Sequence, residues 1–175
     1  VIVDWLSAGQ AEICVSASNA CSDNTPTTCQ TVTIGEDPPQ PNPEPGDDCK
    51  LAPIFCNGID GFSNTLNTNN IVQAFPGCPA NVLNNDEWIS FYAGSDFLEL
   101  LITPSNCTGN TGNFGLQAAI YDDCGGLALA TQCDCVQNPF TLSSPDFIPG
   151  QLYYLVLDGC AGEICDYTID VIQGE

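Results

Sequence analysis

The sequence has no histidine, no arginine, no methionine and one lysine, Lys50. Without histidine, neither a Ser-His-Asp nor a Cys-His catalytic arrangement can be assembled. Without arginine there is no arginine finger and no basic phosphate clamp. A nucleic-acid partner is excluded, because phosphates must be neutralised by Lys and Arg. An anionic membrane surface repels such a chain. No run approaches the roughly 18 apolar residues of a membrane span, so membrane insertion is not expected. No CxxC spacing occurs, which removes zinc-ribbon and thioredoxin-like readings. These absences predict a protein that is not an enzyme.

What is present is acid, cysteine and turn chemistry. The 175 residues include 22 Asp and Glu, 12 Cys, 16 Gly and 13 Pro, with a net charge of -21. High charge alone suggests disorder, but 43 % of the residues are apolar, enough for a core. An even and high cysteine count reads as a disulfide framework, which needs an oxidising place outside the cell or on its surface. The chain opens on strand-like Val1-Ile2-Val3-Asp4-Trp5, with no initiator and no signal segment. This predicts a mature processed product or one unit of a longer polypeptide.

Three parts follow from composition. Residues 1–35 hold three short strand candidates: Val1 to Leu6, Glu12 to Ser18 and Thr28 to Ile34. In the second, Ile13 and Val15 share a face; in the third, Val32 and Ile34 do. Residues 36–48 carry five prolines, Pro38, Pro39, Pro41, Pro43 and Pro45. Proline fixes φ and removes donors, so this segment reads as a polyproline II domain linker; a glycosylated or partner-reading motif is the alternative. Residues 49–175 form the body. Its strand candidates are Glu87 to Ala93, Phe97 to Thr103, Phe114 to Tyr121, Leu127 to Gln132, Phe140 to Ser143, Gln151 to Leu157 and Tyr167 to Ile172, with one or two weaker ones between Leu51 and Phe75. Short strands without amphipathic helices predict an all-β antiparallel sandwich. Leu152 to Leu157 is apolar on both faces. Two readings balance: a central strand covered by loops, or an outer face packed on a neighbouring molecule.

Chemistry is sparse. Calcium takes oxygen ligands, and the acidic loops offer Asp122, Asp123, Asp158, Glu163 and Asp166. None has the EF-hand spacing, so a solvated acidic surface is the blander reading. Paired carboxylates of the glycosidase kind are equally well read as turn residues. Trp5 and Trp88 sit in strand patterns and read as core, whereas Tyr92, Tyr121, Tyr153 and Tyr154 are candidate exposed aromatics for sugar binding. Asn106-Cys107-Thr108 is the one glycosylation sequon, at Asn106. Cys21 and Cys29 flank a turn-rich stretch and Cys160 and Cys165 bracket four residues, so each pair is expected to close a local loop.

Glu87-Trp88-Ile89-Ser90-Phe91, Gly115 to Cys124, Pro149 to Tyr154, Asp158-Gly159-Cys160 and Cys165 to Val171 together resemble a module of large secreted surface proteins from gliding-type bacteria, similar to the pre-peptidase C-terminal type of jelly-roll sandwich. Val3-Asp4-Trp5, Gly9 and Ile13 to Asn19 resemble the C-terminal part of a PKD- or immunoglobulin-like repeat. The resemblance implies a disulfide-rich jelly roll preceded by an incomplete immunoglobulin-like segment. Such repeats have about seven strands; this segment supplies about three. In a complete repeat Cys14 would staple to the opposite sheet, so Cys14 is expected to bond beyond its segment, in an adjacent subunit. The expected function is a subunit of an extracellular fibre or adhesin. It would join other copies head-to-tail by strand complementation through Val1, Val3, Trp5, Ile13, Val15, Val32 and Ile34. The alternative is a carbohydrate- or matrix-binding accessory module, with surface glycans or matrix as partner.

Overall fold

A computed structural model of the chain describes residues 9–15, 28–34, 43–56, 58–67, 73–78, 82–109 and 115–174. It divides into two compact units, Val1–Pro41 and Asn42–Glu175.

The first unit contains one antiparallel pair, β1 (Gly9–Val15) and β2 (Thr28–Ile34), in register from Gly9 opposite Ile34 to Val15 opposite Thr28. The second strand matches its sequence expectation. The first begins three residues earlier than expected, because Gly9 and Gln10 pair with Ile34 and Thr33. Val1, Val3 and Trp5 lie outside the described residues. Cys14 stands directly opposite Cys29, and the two are bonded with Cα atoms 4.0 Å apart. This corrects two expectations. Cys14 bonds within its own segment, and Cys29 is therefore unavailable to Cys21, which lies outside the described residues. The cause is register: facing residues of an antiparallel pair come within disulfide reach.

The second unit is an all-β sandwich of two four-stranded antiparallel sheets. Its strands are β3 (Phe62–Thr65), β6 (Asp86–Tyr92), β7 (Leu98–Thr108), β8 (Leu116–Tyr121), β9 (Ala128–Val136), β10 (Phe140–Ser144), β11 (Leu152–Gly159) and β12 (Ile164–Gln173). A small ladder of β4 (Gln73–Ala74) with β5 (Val82–Leu83) lies beside them in sequence. One sheet has the order β10-β7-β12-β3 and the other β6-β11-β8-β9. The chain changes sheet at every connection between these eight strands except the β8–β9 hairpin. All seven expected body strands are present, most within three residues at either end. β7 and β9 run further than expected, carried by pairing with β12 and β8 through bulged registers.

Alternation puts Ile89, Phe91, Leu100, Ile102, Leu116, Ala118, Ile120, Leu155, Leu157 and Ile169 between the sheets, where they form the main core. A second cluster lies on the outer face of the β6-β11-β8-β9 sheet. There Trp88, Ala119, Tyr121 and Val156 pack with Cys49, Phe75, Cys78 and Leu83. The doubly apolar strand is therefore central and covered by its own chain. Its cover includes a strap, residues 43–55. Gly46 exchanges both backbone hydrogen bonds with Trp88 (2.9 and 2.6 Å), and Ser90 donates its N–H to Pro53 and accepts from Phe55 (2.9 and 2.8 Å). Of the expected linker, residues 43–48 fall in the second unit, where Gly46 pairs with Trp88 at the edge of β6, and residues 36–42 lie outside the described residues.

Four disulfides staple this unit: Cys49–Cys124, Cys78–Cys133, Cys107–Cys165 and Cys135–Cys160. The expected Cys160–Cys165 loop is not formed. Cys160 lies in the tight turn after β11 and bonds to the end of β9, whereas Cys165 faces inward on β12 and bonds to neighbouring β7. Gly115 has φ +83°, and a Cβ there would sit 2.0 Å from the Val136 carbonyl oxygen. Gly115→Ala is expected to destabilise the body by about 3 kcal/mol, combining left-handed strain with the clash. Urea unfolding of the oxidised protein measures it, and a change below about 0.5 kcal/mol would contradict the close approach.

Candidate functional site

Among the described residues the interior holds four carboxylates, Asp86, Glu87, Asp158 and Glu163, each at most 2 % exposed. Buried charge is costly unless hydrogen-bonded or neutralised, so each must be accounted for. β6 sends consecutive acids to opposite faces.

Glu87 points between the sheets. Its Oε2 accepts from the Tyr167 hydroxyl of β12 (2.8 Å) and from Asn64 Nδ2 of β3 (3.2 Å), and Oε1 accepts from the Asn67 N–H (2.9 Å). One carboxylate thus bonds both sheets. Burial pushes its pKa up, and the three donors oppose the shift. The Tyr167 hydroxyl is also pushed up, by burial and by the Glu87 charge.

Asp86 points outward, in a cross-strand row with Asp158 and Gln117. Asp158 is fully engaged. Its Oδ1 accepts from the Asn84 and Asn85 N–H groups (2.5 and 3.0 Å) and its Oδ2 from Gln117 Nε2 (2.6 Å). The chain over this row is a flap, residues 82–85, which also accepts Gln117 Nε2 at the Val82 carbonyl (2.9 Å) and donates Asn85 Nδ2 to the Glu163 carbonyl (3.2 Å). Asp86 is less well served. Oδ2 accepts from Trp88 Nε1 (2.6 Å), but Oδ1 is sealed and has no partner, as is Asn85 Oδ1. Burial raises the Asp86 pKa to about 6, the Trp88 bond and the residue's own backbone N–H oppose this, and the negative charges of Asp158 and Asp47 add to it. Burial raises that of Asp158 too.

The five expected calcium ligands do not converge. Asp122 and Asp123 are exposed on the β8–β9 turn. Asp158 is taken by three N–H donors, and Glu163 Oε2 accepts the Gly115 N–H (2.6 Å). Asp166 is on the outer face of β12, bonded to Thr65 and to Asn106 Nδ2 (2.7 Å), which hold its pKa below the usual range. Among the described residues no three of the five bring their oxygens within 4.8 Å of one another. The one group containing any of them, Cys107, Glu163 and Cys165, is built on a disulfide. Spacing in sequence missed this because strand faces and turns, not proximity in the chain, direct these acids.

Comparison with protein-family models, with curated proteins and with solved structures gives no match to this chain. The geometry alone therefore carries the functional reading. Of the four tyrosines considered for sugar binding, Tyr121 and Tyr153 are buried, Tyr154 is half-buried and Tyr92 is exposed. Trp88 is buried beside Tyr121, and no aromatic platform forms among the described residues. Asn106 is exposed on β7 with its amide donating to Asp166.

The Asp86–Asp158–Gln117 row and the Glu87 bridge were not legible as sites: Asp158 stood among the calcium candidates of the acidic loops, and Glu87 only opened a strand candidate. The available signal was Asp86-Glu87 leading directly into an apolar strand. Tyr167→Phe is expected to lower stability by about 1.5–3 kcal/mol, the range for a hydrogen bond to a charged group. That bond favours ionised Glu87, whose folded pKa is raised. The loss should therefore be smaller at pH 4, below the ordinary 4.5 that burial raises, where Glu87 is protonated, than at pH 8. Urea titrations at the two pH values test this; an equal loss at both would place the bond elsewhere.

Proposed function

We propose that this chain is a structural subunit of an extracellular fibre or surface adhesin, joined head-to-tail to other copies by β-strand complementation. The observation that carries the reading is the β1–β2 hairpin, which among the described residues is a two-stranded sheet in a unit separate from the sandwich. A lone hairpin is marginal in water and leaves backbone donors and acceptors unpaired along both outer edges. Where side chains of this sheet are described, Glu12, Cys14, Cys29, Gln30 and Thr31, all are exposed. The hairpin gains most by adding to the edge of a sheet in another copy. In the sandwich β6 is closed by the strap, whereas β3, β9 and β10 are the terminal strands without a further pairing among the described residues. Donor and acceptor surfaces differ, and such heterologous contacts give open filaments. Disulfide density supports an extracellular or cell-surface setting.

Electron microscopy of concentrated full-length protein should show filaments, and excess peptide of residues 1–35 should shorten them by occupying acceptor edges. A chain that stays monomeric at high concentration by sedimentation would overturn the proposal.

Cysteine parity adds a second test. Five bonds use ten of the twelve cysteines; Cys56 is exposed and unpaired, and Cys21 is the other one they leave. In an oxidising exterior, Cys56 of one copy and Cys21 of the next would each give up a proton and an electron to a disulfide oxidant and form one S–S bond. A non-reducing gel of assembled protein should show a ladder that collapses on reduction and is missing in Cys56→Ser. A Cys21–Cys56 bond mapped within single chains would refute the covalent link while leaving the filament test independent.

A further inference from the structure

The outward acid row has a property that the assembly reading does not use. Asp86 and Asp158 face each other across β6 and β11, both 0 % exposed. Facing side chains of adjacent strands lie about 5 Å apart at Cβ. The charges that reach Asp86 are those of Asp158 from β11 and Asp47 from the strap, both negative. Glu87, next along β6, projects to the other face and is satisfied there. The other ionisable side chains in or against the apolar cluster over this sheet are Tyr121, whose hydroxyl donates to the Pro76 carbonyl, and the half-buried Tyr154. Lys50, the chain's single lysine, is exposed. No third acidic ligand joins Asp86 and Asp158 within coordination reach among the described residues. A sealed Oδ1 with no hydrogen-bond partner, beside a second carboxylate, is satisfied by a proton, which needs no cavity and no further ligands.

We propose that Asp86 and Asp158 form a proton-operated latch that holds the 82–85 flap on the sheet when Asp86 is protonated and releases it when Asp86 ionises. With Asp86 neutral, Asp158 meets no like charge across the row and keeps its bonds to the Asn84 and Asn85 N–H groups. When Asp86 loses its proton to solvent, two carboxylates share one dry site. The pair is relieved by lifting the flap, which lets water reach Asp86 Oδ1. Leu83, 1 % exposed on that flap, then leaves its seat in the cluster with Trp88 and Val156. The closed state is the acid state and the open state is the alkaline one.

The direction follows from linkage. The ordinary pKa of Asp86, 3.8, is raised to about 6 in the folded chain. Its contribution to holding the closed fold is complete below pH 3.8 and falls as pH rises through about 6. It does not return above that.

Hydrogen exchange tests the latch on the full-length oxidised protein. After correction for base catalysis, protection of the Asn84 and Asn85 amides should fall at least tenfold between pH 5 and pH 8. In Asp86→Asn, which keeps the shape and cannot ionise, protection should stay within about twofold across the same range. Constant protection in the wild type, or an equal fall in the variant, overturns the proposal. Should the variant not fold, 13C carboxyl titration of the wild type decides. An Asp86 signal titrating near pH 6 and sensed by Asp158 supports the latch, and one that titrates below pH 4.5 refutes it.

Discussion

A sheet apolar on both faces must be covered on both faces, and the β6-β11-β8-β9 sheet imposes this constraint on the rest of the body. Leu155 and Leu157 meet the other sheet, while Val156 between them needs cover from elsewhere. Each fully buried aliphatic side chain contributes about 1.5–3 kcal/mol, so leaving that face wet would cost a large part of a small domain's stability. Strap, flap and the β4–β5 segment supply the cover. They are irregular and short, with little hydrogen bonding of their own, and the covalent bonds fall where they need holding. Cys49–Cys124 ties the strap to the β8–β9 turn, and Cys78–Cys133 ties the β4–β5 segment to β9.

Irregular cover brings backbone N–H groups to the end of a sheet, where they need acceptors. Asp158 provides one for Asn84 and Asn85, and Glu163 does the same for Gly115. A chain with almost no cations cannot neutralise buried acids with ion pairs, so it uses N–H and O–H donors. Where donors run short, at Asp86 Oδ1, a proton is the remaining partner. The same shortage of positive charge thus shapes the interior. Glu87 shows the well-served case, with three donors drawn from β3, β12 and the stretch after β3.

The two units differ in how far they satisfy themselves. The sandwich closes its main core, one sheet edge and most of its polar groups within one chain. The described part of the first unit is a single disulfide-bonded ladder. The cysteine count expresses the same asymmetry: three cysteines in the first 35 residues and nine after them are both odd, so neither part can pair completely within itself.

Strand periodicity, cysteine number and charge were legible in the sequence because they are properties of single residues and their immediate neighbours. They specified an all-β sandwich, strands near their observed positions and a buried Trp88. Residues brought together from far apart in the chain were not legible. Cys160 and Cys165 are neighbours in sequence, yet one looks across to β9 and the other inward to β7. Asp122, Asp158 and Asp166 looked like one acidic set, yet the pleat and the turns send them to a surface turn, a sealed row and an outer face. The readings left open for Leu152 to Leu157 were separated only by the strap. Whether an apolar face is covered by its own chain or by another depends on contacts between residues tens of positions apart, and local sequence pattern does not encode them.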